Sequence, residues 1–244
     1  MVLYRSEETK LPKASYDLWE EKFGISTFTA SAVYGGLQAA ANFAKLLGKV
    51  KSEAIYRRAA EEVKTAILKH LYDQASGNFL KLLHHRQNIA PDQTIDTSSI
   101  YGIYNFGVLE ATDPRVKRAV EQTISALENP AGSGNVGRYQ DDTFYQVNPA
   151  RGNPWLVTTL WLTQYYIAIA KNNQDLDIVR RYLNWVLKSA RPSGVLAEQL
   201  HPETGYQLSV APLVWSHSEF VITVTKYLKK LEDLNLCVEC NPVA

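Results

Sequence analysis

Two short acidic clusters hold the residues best suited to chemistry, and they lie near opposite ends of the sequence. The first is Asp17-Leu18-Trp19-Glu20-Glu21, and the second is Leu196-Ala197-Glu198-Gln199. Each cluster precedes a long segment that carries almost no charge. Two carboxylates on one rim of a helical barrel could cleave a glycosidic bond, because one can protonate the leaving oxygen while the other activates a water molecule.

Glu20 is the candidate for the general acid. A carboxylic acid stays protonated near neutral pH when it is desolvated or lies beside another negative charge. Trp19 can supply the first condition and Glu21 the second. Taken alone, the Trp-Glu-Glu triplet is more simply explained as a solvated acidic pair at the end of a loop.

Glu198 is the candidate for the general base. It follows the turn Pro192-Ser193-Gly194 within a short loop. A general base needs an ionised carboxylate with room for one water molecule between it and the sugar. A surface glutamate near the start of a helix would explain this residue equally well if it stood alone.

Four further residues could bind a sugar. Arg138 and Asp142 could hold hydroxyl groups by charge-assisted hydrogen bonds, although a surface ion pair is the simpler explanation of the two alone. Trp155 and Trp215 could stack on a sugar face, although a tryptophan near the start of a helix is more often part of the core.

Segments with little charge alternate with charged amphipathic segments. The charge-poor segments begin near residues 28, 97, 154 and 212, with a period of roughly 60 residues. The segments between them have one apolar stripe, such as Leu176, Val179, Leu183 and Val186. Buried inner helices wrapped by amphipathic outer helices predict an all-α toroid of helical hairpins. An α-solenoid or an irregular bundle is the alternative, and the charge-poor interior argues against a solenoid.

This topology predicts that function is concentrated on one face. The loops that lead into the inner helices would all emerge on one rim, and both acidic clusters fall in these loops. So does the aromatic-rich segment 138–145. The four loops are residues 11–24, 84–96, 135–153 and 193–211.

The bulk composition excludes several classes of function. A net charge of +1 gives no field that would favour nucleic acid or an anionic membrane. No segment is apolar enough for a confident membrane span, and residues 1–13 lack the apolar run of a signal peptide, so a cytoplasmic location is expected. Cys237 and Cys240 form one C-x-x-C without the further ligands of a zinc site, so neither a metal nor another cofactor is expected.

The motifs together resemble those of glycoside hydrolase family fifteen, the glucoamylase and glucodextranase group. Their order and approximate spacing match the family along nearly the whole chain. The motifs are Tyr16-Asp17-Leu18-Trp19-Glu20-Glu21 with Phe28-Thr29, Gly137-Arg138-Tyr139 to Tyr145, Gly152-Asn153-Pro154-Trp155, Leu196-Ala197-Glu198-Gln199 and Pro212-Leu213-Val214-Trp215-Ser216.

The resemblance implies an (α/α)6 barrel that removes glucose from the ends of α-glucans or oligosaccharides with inversion of configuration and without a cofactor. It implies that Glu20 is the general acid and Glu198 the general base. It also implies that Glu21, Arg138 and Asp142 bind hydroxyl groups. Trp19 and Trp215 would shape the pocket, and Trp155 is a further candidate for substrate binding.

The chain departs from the family in its helix count. The pattern gives four inner and three outer helices, about seven of the twelve in an (α/α)6 barrel. We therefore expect residues 1–232 to be the C-terminal part of a catalytic domain and residues 233–244 to be a short tail. In the family, the part that would precede residue 1 supplies an Arg-Asp pair and aromatic residues that grip the terminal glucose. We expect the chain to pair with a separately encoded N-terminal half, to self-associate, or to represent a truncated reading frame.

Several functions stay open at this point. The leading interpretation is an inverting exo-acting glucosidase. A trehalase of the same family is the nearest alternative, and a catalytically incomplete subunit or carbohydrate-binding remnant is the next. A structural helical scaffold would explain the period but not the arrangement of the motifs.

Overall fold

Helices dominate the computed structural model, which describes residues 1–84, 89–129, 135–147 and 152–237. Within these ranges the charge-poor segments form helices that start at residues 27, 97, 156 and 214, close to the predicted positions, and the all-α fold is confirmed. The seven helices are α1 (Thr27–Leu46), α2 (Val50–His70), α3 (Thr97–Asn105), α4 (Pro114–Leu127), α5 (Leu156–Ile169), α6 (Asp177–Ser189) and α7 (Val214–Asp233).

Within the described residues, short strands and one 3-10 turn join the helices. The strands found there pair antiparallel, in the orders β1-β2-β5, β3-β4 and β6-β7. The 3-10 turn is Gln174–Leu176, and the strands are β1 (Ser15–Tyr16), β2 (Phe23–Ser26), β3 (Tyr72–Asp73), β4 (Asn78–Phe79), β5 (Leu82–His84), β6 (Gln199–Leu200) and β7 (Gln207–Leu208). Parts of two predicted rim loops, residues 85–88 and 148–151, lie outside the described residues, as do residues 238–244 of the predicted tail.

The chain divides into two compact units, residues 1–122 and 123–244. In the first unit, α1 packs against both α2 and α3. Small buried side chains such as Ala30, Ala41 and Ala59 allow these helices to lie close together. The α1 helix begins at Ser26, whose hydroxyl accepts the N–H of Thr29 at 3.1 Å and so satisfies one of the free donors of the first turn.

The β1-β2-β5 sheet was not predicted from the sequence, and it holds the first acidic cluster. Residues 17–22 form the connection between β1 and β2. Gly24 lies in the middle of the sheet, paired with Ser15 on one side and His84 on the other. A Cβ atom at Gly24 would come within 2.5 Å of the Leu82 side chain, so the strands can approach only because this residue is glycine.

In the second unit, α5 packs against α6 and α7. The α5 helix is buried around almost its whole circumference, as its apolar sequence predicted. The predicted apolar stripe is also confirmed: Leu176 in the 3-10 turn and the other three residues in α6 are buried in one cluster with residues of α5. Together these helices build the apolar core of the second unit.

The expectation of complete burial was wrong for α1 and α7. The buried side of α7 holds Ser216, Glu219 and Thr223, whereas Val221 is 62 % exposed. In α1, Phe43 near the C-terminal end is 63 % exposed. Both helices therefore carry apolar side chains that no described residue buries. None of the described helices is long and apolar enough to cross a membrane.

Candidate active site

The first acidic cluster forms a tight turn organised by Asp17. Its buried carboxylate accepts the backbone N–H groups of Glu21 and Lys22, at 3.0 and 3.2 Å, through Oδ1. Glu20 adopts a left-handed backbone conformation with φ of 59°, which is uncommon for a residue with a side chain. The turn leaves Glu20 and Glu21 exposed, so the structure does not show the desolvation of Glu20 that was expected from Trp19.

Trp19 is instead buried beside an ion pair that the sequence did not reveal. Its indole Nε1 donates to Asp96 Oδ2 at 2.9 Å, and Lys81 Nζ lies 3.1 Å from the same oxygen. Both charged residues are almost completely buried. The other oxygen of Asp96 accepts the N–H of Ser98 at 2.7 Å and caps α3. One carboxylate therefore fixes the tryptophan beside Glu20 and the start of a helix.

A second ion pair ties the turn to the loop before α3. Lys22 Nζ lies 2.7 Å from Asp92 Oδ2, and Asp92 also accepts the N–H of Thr94 at 3.0 Å. Burial by itself raises the pKa of Asp92, but the hydrogen bonds from Lys22 and Thr94 outweigh it and lower the pKa to about 2. Asp92 is thus held as a carboxylate next to the acidic turn.

In the second unit, Glu198 is held by its main chain on both sides. Its N–H donates to the carbonyl of Val210 at 3.0 Å, and its carbonyl accepts the N–H of Leu156 at 3.3 Å, where α5 begins. The half-buried carboxylate accepts a hydrogen bond from Ser209 Oγ at 2.5 Å. Ser209 has a φ of 60°, a left-handed backbone conformation that is uncommon for a residue with a side chain.

Asn153 connects this segment to the loop that contains the other predicted sugar-binding residues. Its amide nitrogen donates to the buried Gln199 side chain at 2.8 Å and to the carbonyl of Tyr145 at 2.7 Å. Its amide oxygen accepts the N–H of Val147 at 3.1 Å. A single side chain thereby joins the residue after Glu198 to the aromatic-rich loop.

Arg138 and Asp142 form a buried pair rather than the surface ion pair that the sequence left open. Nε and Nη2 of Arg138 each lie 2.8 Å from one oxygen of Asp142, which is the bidentate arrangement that guanidinium and carboxylate groups favour. The guanidinium carbon lies 4.5 Å from the centre of the Trp155 ring and 5.2 Å from that of Phe144. The guanidinium is therefore held at its edge by hydrogen bonds to Asp142 and across its face by contacts with the aromatic rings.

The two tryptophans near helix starts occupy different positions. Trp155 is only 3 % exposed and lies against Arg138, and its direct contact with a sugar stays a prediction. Trp215 is half-buried in the first turn of α7, with its ring edge-on to the buried ring of Trp161 at 5.6 Å. The structure thus links Glu198, Trp155, Arg138 and Asp142 within one unit, and it places Trp19, Glu20 and Glu21 on one turn of the other.

A comparison with known protein families identifies the family of this chain. Residues 7–225 match the model of the glycosyl hydrolases family 15. The chain belongs to family 15. The match includes both acidic clusters, the Arg138–Asp142 loop and the start of α7, so the resemblance inferred from the motifs is confirmed.

Relatives with different named activities match this family 15 chain. It is 32 % identical over 218 residues to an uncharacterised glycosyl hydrolase of Methanocaldococcus jannaschii, covering 86 % of this chain and 33 % of the relative. A probable glucoamylase of Schizosaccharomyces pombe is 24 % identical, with 86 % and 53 % covered. Trehalase 2 of Sulfolobus acidocaldarius is 27 % identical, with 87 % and 34 % covered. The chain thus spans between about a third and a half of the length of these relatives.

Solved structures support the same fold. The family 15 glucoamylase from Hypocrea jecorina superposes with a TM-score of 0.67 at 20 % identity, covering 91 % of this chain and 45 % of that one. A bacterial glucoamylase complexed with acarbose gives a TM-score of 0.70 at 22 % identity, covering 87 % and 35 %. These glucoamylases have the (α/α)6 fold, and the fold class predicted from the sequence is therefore confirmed as part of that fold.

Proposed function

We propose that this chain carries both catalytic carboxylates of an inverting, exo-acting family 15 glucoside hydrolase. Glu20 acts as the general acid and protonates the glycosidic oxygen, so that the bond from the anomeric carbon to this oxygen breaks. Glu198 acts as the general base and removes a proton from the water that attacks the anomeric carbon from the opposite face. No cofactor takes part in this reaction.

The anchoring of Glu198 is the observation that carries the proposal. A base that activates water must be ionised and held still, because small displacements of a catalytic group are costly. Hydrogen bonds on both sides of its peptide fix the main chain of Glu198, and Ser209 donates to its carboxylate. A glutamate on an ordinary surface loop would lack these constraints.

We assign the binding of sugar hydroxyl groups to Glu21, Arg138 and Asp142. The bidentate pair of Arg138 and Asp142 is rigid before substrate arrives, which reduces the entropy lost on binding. In this proposal the ring of Trp155 packs against the guanidinium of Arg138, and Trp19 and Trp215 shape the pocket wall.

Trehalose is the second candidate substrate after α-linked glucans and oligosaccharides. The support for it is the similarity to Trehalase 2 of Sulfolobus acidocaldarius, at 27 % identity, beside the similarity to glucoamylases. Both reactions use the same pair of carboxylates and differ in the sugar beyond the cleaved bond. The cytoplasmic location expected from the sequence stays a prediction.

We further propose that residues 1–232 act as the C-terminal part of a catalytic domain, with residues 233–244 as a tail, and that a separate N-terminal half covers their exposed apolar side chains. Without that half the chain would self-associate, because exposed apolar surface favours association. Six exposed apolar side chains support this. Phe43 and Leu46 lie at the end of α1, Leu47 is the C-cap residue of that helix, and Val214, Val221 and Ile222 lie on α7. A stable monomer in light scattering across a range of concentrations would contradict it.

Glucose release by the purified chain tests the catalytic proposal. Maltotriose, isomaltose and trehalose are offered in parallel, and the substrate that yields glucose identifies the linkage. Glu20→Gln and Glu198→Gln should each lower turnover by about 10²- to 10⁴-fold, the usual contribution of a general acid or base. Glu203→Gln is the matched control, since Glu203 is exposed in the β6-β7 connection. Full activity in either catalytic variant would overturn the assignment.

A further inference from the structure

The segment that carries Glu198 is attached at its upstream end to the first turn of α7. The N–H of Leu196 donates to His217 Nε2 at 3.1 Å, and the carbonyl of Leu196 accepts the N–H of Leu213 at 3.0 Å. The carbonyl of Ala197 accepts Ser216 Oγ at 2.8 Å. The side chains of two consecutive residues of α7, Ser216 and His217, thus bind backbone groups of the two residues before Glu198.

These contacts lie away from water. Leu196 is 4 % exposed, and Ala197 and Ser216 are fully buried. A buried backbone N–H must find a hydrogen-bond acceptor, because leaving it unsatisfied is strongly unfavourable. The N–H of Leu196 satisfies this requirement with a side chain rather than with the main chain of a helix or a sheet. The position of this peptide therefore depends on the chemistry of residue 217.

The direction of the hydrogen bond fixes the state of the imidazole. A peptide N–H can only donate, so His217 Nε2 must present its lone pair, and the proton of the neutral ring lies on Nδ1. An aromatic ring without a nitrogen at this position would fill the same space without accepting the hydrogen bond. The side-chain oxygen of glutamine, which lies the same number of bonds from Cα, could replace Nε2 as the acceptor.

The geometry points to His217 as a positioning residue for Glu198, a role that rests on the proposed function of Glu198. Leu156 and Val210 fix the peptide of Glu198 itself, and His217 fixes the chain two residues upstream. The approach direction of the carboxylate is set by both constraints. His217 touches neither the sugar nor the water in this account, so its loss changes the rate of the chemical step more than substrate binding.

The test compares His217→Phe with His217→Gln. We expect His217→Phe to lower kcat by about tenfold or more with little change in KM, because the base is displaced while the sugar-binding residues are untouched. His217→Gln, which keeps an acceptor, should recover most of kcat. His201→Phe is the matched control, since Nδ1 of His201 also accepts backbone N–H groups, those of Glu203 and Thr204, in a turn. It should leave kcat unchanged.

A second readout does not depend on turnover. Hydrogen exchange of the Leu196 amide, followed by NMR, should be about tenfold faster in His217→Phe than in the wild type and near the wild-type rate in His217→Gln. A long-range nitrogen correlation spectrum of the wild type should show Nε2 of His217 as the unprotonated ring nitrogen. Should His217→Phe fail to fold, His217→Leu also lacks the acceptor and replaces it in both arms.

The outcomes separate this inference from the proposed function. Unchanged kcat in an active His217→Phe, unchanged exchange of the Leu196 amide, or no recovery in His217→Gln would each overturn the role of His217. If the wild-type chain releases no glucose from any substrate, its activity in isolation is contradicted. In that case the exchange data alone decide the inference. Restored protection of the Leu196 amide in His217→Gln supports the role of His217, and unrestored protection contradicts it.

Discussion

Trp19 and Asp96 are joined by a hydrogen bond of 2.9 Å from the indole Nε1 to the carboxylate, although 77 residues separate them in sequence. The same carboxylate forms the buried ion pair with Lys81 and caps α3. The tryptophan that precedes Glu20 is therefore connected to the stability of its whole unit. A substitution of Asp96 should therefore change both the free energy of unfolding and the position of the acidic turn.

We expect Asp96→Asn to lower the free energy of unfolding by about 3–5 kcal/mol, because it leaves the buried Lys81 ammonium without a counter-charge. The one side-chain oxygen of asparagine can still cap α3, whereas its NH2 group then faces the indole N–H and the Lys81 ammonium, so the loss reports the missing charge and the lost indole bond rather than the helix cap. Urea unfolding followed by circular dichroism measures the difference. Asp177→Asn, which breaks an exposed pair with Arg180, should cost less than about 1 kcal/mol. Equal losses of stability in the two variants would show that the buried Lys81–Asp96 pair contributes no more than an exposed ion pair.

Arg138→Lys should weaken both the fold and the proposed sugar site. Lysine keeps the charge but loses the two parallel hydrogen bonds to Asp142 and the planar contact with Trp155. We expect a loss of about 2 kcal/mol in the free energy of unfolding, measured in urea. Arg180→Lys serves as the control because its ion pair with Asp177 is exposed. A stability for Arg138→Lys as high as that of this control would argue against a rigid pair.

The Lys22–Asp92 pair predicts a dependence of stability on acidic pH. The pKa of Asp92 is lowered from 3.8 to about 2 in the folded chain, so the carboxylate binds its proton more weakly than in the unfolded chain. The stabilisation is fully present above pH 4 and is lost as pH falls towards 2. Asp92→Asn should therefore lower Tm at pH 5 and have a smaller effect at pH 2. Asp141→Asn, at an exposed turn residue, is the control. A constant difference between the wild type and Asp92→Asn would contradict the lowered pKa.

Ser209 should matter to turnover through its hydroxyl and to stability through its backbone. Ser209→Gly removes the hydrogen bond to Glu198 but suits the positive φ, whereas Ser209→Ala removes the bond and keeps the strain of a side chain there. Both variants should lose about tenfold in kcat, the cost of one hydrogen bond to a charged group. Ser209→Ala should also have the lower Tm of the two. Wild-type kcat in Ser209→Gly would show that the contact does not assist the base.

The helices of this chain could be predicted from the sequence because their signal is local. Charge-poor segments that begin near residues 97 and 154 became α3 and α5, and the stripe of α6 packs against α5. Asp96 lay in a predicted rim loop just before a charge-poor helix, and its side chain is a typical helix cap. That position was the one available sign of its importance.

The contacts that organise the candidate site could not be predicted in the same way. Lys81 stands in a short segment without periodicity, and its burial depends on Asp96, which is distant in sequence. The approach of β2 to β5 at Gly24 is set by the pairing of strands separated by α1 and α2. His217 and Ser209 are single polar residues whose partners are determined by the path of a loop. Such long-range pairs leave no pattern in a single sequence.

The configuration of the first sugar released is the most direct test of the central claim that Glu20 and Glu198 act as an inverting acid–base pair. Proton NMR of maltotriose with the purified chain, recorded before mutarotation, distinguishes the two anomers. The account predicts that β-glucose appears first and that neither Glu20→Gln nor Glu198→Gln produces it at a comparable rate. Initial release of α-glucose, or wild-type release by either variant, would contradict it.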